Sequence, residues 1–206
     1  MLMMPPQQSI CERLHNFLGR RPTKAFLYGF IFRLVAEAIN GKYPLGCDAN
    51  TYYVLRFVQK TWFRELAYGF LYQYIIFSLG ILMGDIFIAI KIVACITSGL
   101  LTLSIYLWGR RCGLDEKHAL RFGIIGFMYF TILQISWDLH RNALGLALAL
   151  ISVSICQHSL PLACILALLA GITHPFTIFV VGGALAVDII RRRRQEILVF
   201  ISNTIG

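Results

Sequence analysis

Apolar residues along this chain come in long blocks parted by short polar seams. The blocks fall at 25–40, 66–83, 86–108, 119–137, 143–157, 161–173 and 175–190, and a short apolar start follows at 197–206. A helix that crosses the hydrocarbon layer needs roughly 20 residues, within a range of about 17–25. Several blocks sit at or below that length, so hydropathy alone does not count the crossings. The pattern predicts an all-α fold, a polytopic transmembrane helix bundle.

Composition agrees with that class. The 206 residues are 58% hydrophobic and 14% charged, whereas soluble domains run about 45–50% apolar and about 25% charged. The formal charge of +9 could suggest a nucleic-acid partner. However, the basic residues gather at the ends of apolar runs, where positive charge orients membrane segments. No RNP, zinc-finger or helix-turn-helix pattern is present, so no nucleic acid is expected. There is no CxxC pair, and Cys95, Cys156 and Cys164 lie within apolar runs, where they read as small core residues. The start, "MLMMPPQQSICERLHNFLGRRPTK", has a long basic region and no A-x-A site after the first apolar run. Residues 1–24 are therefore expected to be a cytoplasmic basic segment, with 25–206 as the membrane domain of a cell-membrane protein.

Charge sets the expected topology. The basic segments are 13–24, 110–121 and 191–194, and all three should face the cytoplasm. If 66–83 and 86–108 both crossed, 110–121 would lie outside. If 66–83 is instead re-entrant or interfacial, six crossings (25–40, 86–108, 119–137, 143–157, 161–173 and 175–190) put every basic cluster inside, and 197–206 begins a seventh span. Pro175 disfavours helix at His174, which supports a break between the last two. On this topology residues 41–65, 138–142 and 173–175 are polar seams on one outer side.

Those seams hold the candidate chemistry. The outer loop 41–65 opens with "GKYPLGCDANTYY". There Asp48 is a helix cap or a working carboxylate, and Tyr52 and Tyr53 suit the interface or a substrate. In "DLHRN", Asp138 can cap a helix beginning near Leu139. Arg141 then stands in the first turn, beside unpaired amide groups that attract anions. Its guanidinium suits a phosphate, or snorkels to headgroups. His140 and Asn142 share the seam, and His174 faces the same side at its proline turn. Arg33 and Glu37, one helical turn apart, are expected to neutralise one another. Lys91 is expected to snorkel at the outer end of its span. No Walker, GxSxG, HExxH or GxGxxG motif occurs.

The order of these pieces carries a resemblance. A basic start and an Arg-bearing first span lead to "YPLGCDANTYY". A re-entrant stretch follows, then a span ending "YLWGRRCG", then "DLHRN" and "LAGITHPFT". Over roughly residues 25–190 the chain resembles the GT-C superfamily of polytopic membrane glycosyltransferases, especially archaeal proteins related to the protein mannosyltransferases and dolichyl-phosphate-sugar enzymes. The resemblance implies a polyprenyl-phosphate sugar as donor at the outer face. It implies Asp48 and Asp138 as the catalytic acids, with Tyr52, Tyr53, His140, Arg141, Asn142 and His174 contacting substrate. The chain departs from the family in lacking an acid pair around Asp48. A divalent cation stays open as cofactor, without a clear ligand set. The family has more spans, often with a soluble outer domain, whereas this sequence stops at "ILVFISNTIG". An N-terminal module or a truncated relative is expected. The alternative is a non-catalytic scaffold or lipid-binding subunit. Membrane lipid, and other membrane subunits, complete the expected partners.

Overall fold

The computed structural model of the protein describes residue 12 and residues 21–46, 53–59, 70–129, 140–175, 177–179, 181–187 and 190. Among these residues the fold is all-α, with no strand. The helices are α1 (Pro22–Ile39), α2 (Val54–Gln59), α3 (Phe70–Met83), α4 (Ile86–Arg111), α5 (Glu116–Met128), α6 (His140–Ile155) and α7 (Leu160–Thr173). A last helical segment, α8, covers Thr177–Val187.

Local chemistry sets the ends. Proline in the first turn of α1 withholds an N–H that has no helical partner there. Asp85 caps α4 by accepting from the backbone N–H of Phe87 (2.8 Å) and Ile88 (3.3 Å). Asp115 caps α5 in the same way from His118 N–H (2.7 Å). Between α3 and α4 the chain reverses in two residues, with Gly84 at φ +69°. His174 ends α7 in an extended conformation, as a residue before proline prefers.

α4 is the hub, packed against α1, α3, α5 and α6. α1 lies against it in close contact: a Cβ on Gly29 would overlap the Thr102 hydroxyl and the Ser98 carbonyl, and the Phe26 ring covers Gly99. α3 folds back from the Gly84 turn, so Gly80 meets Ile86 while Ile76 and Phe77 join Ile90, Val93 and Leu144 in one cluster. α7 returns along α6, where the Ser152 hydroxyl donates to Ala163 O at 2.7 Å. α8 returns along α7, with Ile178 over Gly171.

Aliphatic side chains are exposed on several helices, and polar ones are buried beside the apolar core. Leu27, Ile31, Leu34 and Val35 of α1, Ile88, Ile92 and Ile96 of α4, and Ile165 and Leu168 of α7 are exposed. Buried positions include Arg33, Glu37, Gln73, Thr97, Ser98, Thr102, Ser104, Ser152 and Thr173. Several of these hydroxyls bond to the carbonyl three or four residues back, which removes the need for water. Cys95 and Cys156 are buried, but Cys164 is exposed. The buried face of α7 is Ala163, Ala167 and Ala170, and residue 164 sits about 100° round the helix from residue 163.

Among the described residues α4, at 26 residues, is the one helix both long and apolar enough to cross a membrane. α1 has 18 residues but carries Lys24, Arg33 and Glu37. α3, α6, α7 and α8 are apolar and shorter, at 10–17 residues.

At one end of the bundle Arg21 lies 4.0 Å from Glu116. There Arg111 also reaches the carbonyl of Val153 and the Cys156 sulfur (3.1 Å). The loop after α1 and the start of α4 are at the other end, where Tyr43 packs edge-on to Phe87.

Candidate functional site

The C-terminal half of α1 turns Arg33 and Glu37 into the bundle, both essentially without solvent exposure. One helical turn apart, they form an ion pair: Arg33 Nε donates to Glu37 Oε1 at 2.8 Å, and Nη2 lies 2.7 Å from the same oxygen. The pair holds the following loop by its backbone. Arg33 Nη2 donates to Leu45 O at 3.1 Å, and Leu45 N–H donates to Glu37 Oε2 at 3.0 Å.

The same Nη2 lies 3.0 Å from His140 Nε2 on α6. Guanidinium groups only donate, so Nε2 is the acceptor and the neutral imidazole carries its proton on Nδ1. His140 is 1% exposed. Tyr72 of α3 meets its ring edge-on, with centroids 6.2 Å apart, and Tyr53 packs on Tyr72 at 5.4 Å. α1, the 41–46 loop, α3 and α6 thus converge on one buried polar cluster.

The Lys91 ammonium donates to Glu37 O at 3.0 Å and to the carbonyl of Gly41. These are carbonyls at the end of α1, where the helix dipole is negative and a cation is stabilising.

Arg141 follows His140 by one residue and therefore projects about 100° away. It is half-buried, as are Asn142 and His174. His174 seats on α6 one turn past Arg141, since a Cβ on Gly145 would lie 3.1 Å from His174 Cβ. Burial first, and the Arg141 charge second, hold the His174 imidazole below its usual pKa. The Thr177 hydroxyl accompanies this turn, donating to Ala170 O or to His174 O, each at 2.7 Å.

Of the substrate-contacting residues expected from sequence, Tyr53 and His140 enter the buried cluster, and Arg141 and His174 form the adjoining half-buried seam. Asn142 shares its turn of α6. Asp48, Asp138 and Tyr52 lie outside the described residues. Among the described residues no group of three or more His, Cys, Asp or Glu side chains gathers as a metal ligand set. Sequence reasoning missed Tyr72 and Gln73, although a glutamine inside the apolar run "FLYQYIIF" is itself a signal. It also missed that Arg33 spans from α1 to His140, because those residues are 107 apart in sequence.

No protein-family model matches the chain, and neither the curated proteins nor the solved structures contain a match to it.

Proposed function

We propose that the protein is an integral membrane protein that binds a polyprenyl-phosphate sugar at the outer face and transfers the sugar from it, in the manner of GT-C glycosyltransferases. The meeting of Arg141 and His174 carries the reading. Two cationic or ionisable groups from distant segments share a half-buried seam beside the first turn of α6, where amide groups lack helical partners. The membrane part rests on the exposed aliphatic faces, the buried polar groups and the span of α4. The six-crossing topology is the arrangement that leaves every basic cluster inside.

The chemistry balances with residues of this chain. Asp48 takes the proton of an acceptor hydroxyl. The acceptor oxygen bonds to the anomeric carbon as the bond from that carbon to the phosphate oxygen breaks. The lipid phosphate leaves carrying the electron pair, and Arg141 and His174 stabilise the added charge. The resemblance makes Asp138 the second acid. The test is transfer from a polyprenyl-phosphate sugar in proteoliposomes. Asp48→Asn is expected to lower the rate by about 10²-fold or more, and unchanged transfer would remove the assigned base.

Binding without transfer, as in a lipid-binding subunit, is the second reading. It is favoured by the lack of a second acid beside Asp48 in "GKYPLGCDANTYY".

The lowered His174 pKa gives a pH dependence. In the free protein the imidazole is mostly neutral. A bound anion raises its pKa, so binding takes up a proton and strengthens as pH falls. Affinity for a phosphodiester lipid is expected to rise as pH falls from neutral into the acidic range. Titration in nanodiscs reads this, and His174→Gln should flatten the slope. An unchanged slope in that variant would place the proton elsewhere.

A further inference from the structure

α1 and α5 run side by side in the same direction. Near their starts Arg21 lies 4.0 Å from Glu116, and the same number of residues further along each helix the Phe32 and Phe127 rings meet edge-on at 5.7 Å. Both helices turn small residues to α4: Gly29 against Ser98 and Thr102, and Gly123 against Thr102 and Tyr106. Their opposite faces are open. On α1 the open face carries Lys24, Leu27 and Ile31, spaced i, i+3 and i+7. On α5 it carries Lys117, Arg121 and Ile125, spaced i, i+4 and i+8. All six are exposed. The half-buried Tyr28 and Leu120 pack beneath them, Tyr28 in the cluster of Phe127 and Leu120 in that of Ala25 and Ala119.

The two open faces have the same order. Cations come in the turns nearest the Arg21–Glu116 pair, and aliphatic residues follow deeper along each helix. Counted from that pair, Lys24, Lys117 and Arg121 fall within about 6 Å of one another along the helices. Axes of packed helices lie about 8–10 Å apart, a gap that long basic side chains bridge around one phosphate.

The acids beside them are engaged elsewhere. Asp115 Oδ1 accepts from His118 N–H at 2.7 Å and lies 2.8 Å from His118 Nδ1. Glu116 faces Arg21, and Arg110 stands near that pair, since all three act electrostatically on the Tyr106 hydroxyl. Arg111 is turned to the carbonyl of Val153. Lys24, Lys117 and Arg121 have no ion-pair partner among the described residues. Water would suit these three cations, but not the Ile125 side chain one turn beyond Arg121, which is 70% exposed. An acidic phospholipid presents a phosphate and then hydrocarbon in that same order.

We propose that the groove between α1 and α5 binds an acidic phospholipid, with its phosphate among Lys24, Lys117 and Arg121 and its chains along Leu27, Ile31 and Ile125. This rests on the membrane reading given above. It is independent of the Arg141–His174 seam, which lies at the opposite end of the bundle.

The test measures the association of spin-labelled phosphatidylglycerol and spin-labelled phosphatidylcholine with the full chain in lipid bilayers. The wild-type protein is expected to prefer phosphatidylglycerol by about fivefold or more at low salt, and by less as salt rises. Replacing Lys24, Lys117 and Arg121 together by Gln should bring the preference within about twofold. Each single Gln substitution should give an intermediate value, which carries the test if the triple variant does not fold. Lys42→Gln removes an exposed cation at the other end and should leave the preference unchanged. Glycerol phosphate, a headgroup without chains, should not compete at equal concentration. Equal association of both lipids with the wild-type protein overturns the proposal. A preference that survives loss of the three cations, or that Lys42→Gln lowers as much as they do, also overturns it. Competition by glycerol phosphate assigns the site to a free anion and overturns the lipid. A chain that fails to float with vesicles of either lipid overturns the membrane reading and this proposal with it.

Discussion

Glu37→Ala is expected to destabilise the folded bundle by about 3–5 kcal/mol, the range for breaking a buried ion pair from one side. The loss has two parts. The Arg33 guanidinium stays buried without its counter-charge, and Leu45 N–H loses its acceptor. Residue 45 is then held to α1 by one bond fewer, while that from Arg33 Nη2 to its carbonyl remains. The single and double substitutions separate these effects. Arg33→Leu with Glu37→Leu removes both charges together, and apolar replacement of a whole buried pair is often neutral or stabilising. The double variant should therefore be more stable than Glu37→Ala, measured by unfolding in mixed micelles. A double variant as unstable as the single one would mean that the pair is not what holds this region.

Arg141→Ala is expected to lower sugar transfer by about 10²–10³-fold, as removal of one donor to a developing anion does elsewhere. Its effect on stability should be small, because the side chain is half-buried and sits where the helix dipole opposes a cation. That contrast separates Arg141 from Glu37: one substitution affects turnover and the other folding. Lysine at 141 keeps the charge and loses the planar donor fork, so Arg141→Lys should fall between alanine and wild type. Steady-state transfer rates alongside thermal midpoints give both quantities. An Arg141→Ala protein with wild-type transfer rates would exclude this residue from the phosphate site.

Helix positions were legible where apolar blocks met strong stop signals. The 86–108 block is α4 with its last turn extended to Arg111, and the break at His174 follows from Pro175. The Arg33–Glu37 pair was legible because its spacing of four is a local property of a helix. What lay hidden depends on which helix a face meets. A block of apolar residues does not tell inside from outside when both are apolar, so Cys164 was misplaced. The partners of Lys91 were not legible, because the end of α1 lies 50 residues away in sequence. The link from Arg33 to His140 is likewise a product of packing. In the candidate site, the seam residues were readable as polar interruptions at 140–142 and 174. Tyr72 and Gln73 were concealed by the apolar run around them.

The functional reading depends most on one claim: the Arg141–His174 seam opens on the outer face, while the basic end is cytoplasmic. Labelling of intact cells with a membrane-impermeant thiol reagent tests it directly. Cys47, one residue past the loop held by Glu37, should react from outside. Cys112, exposed beside Arg110 and Arg111, should react only after the membrane is opened. Labelling of Cys112 in intact cells, with Cys47 protected, would invert the topology and remove the seam from the outer face.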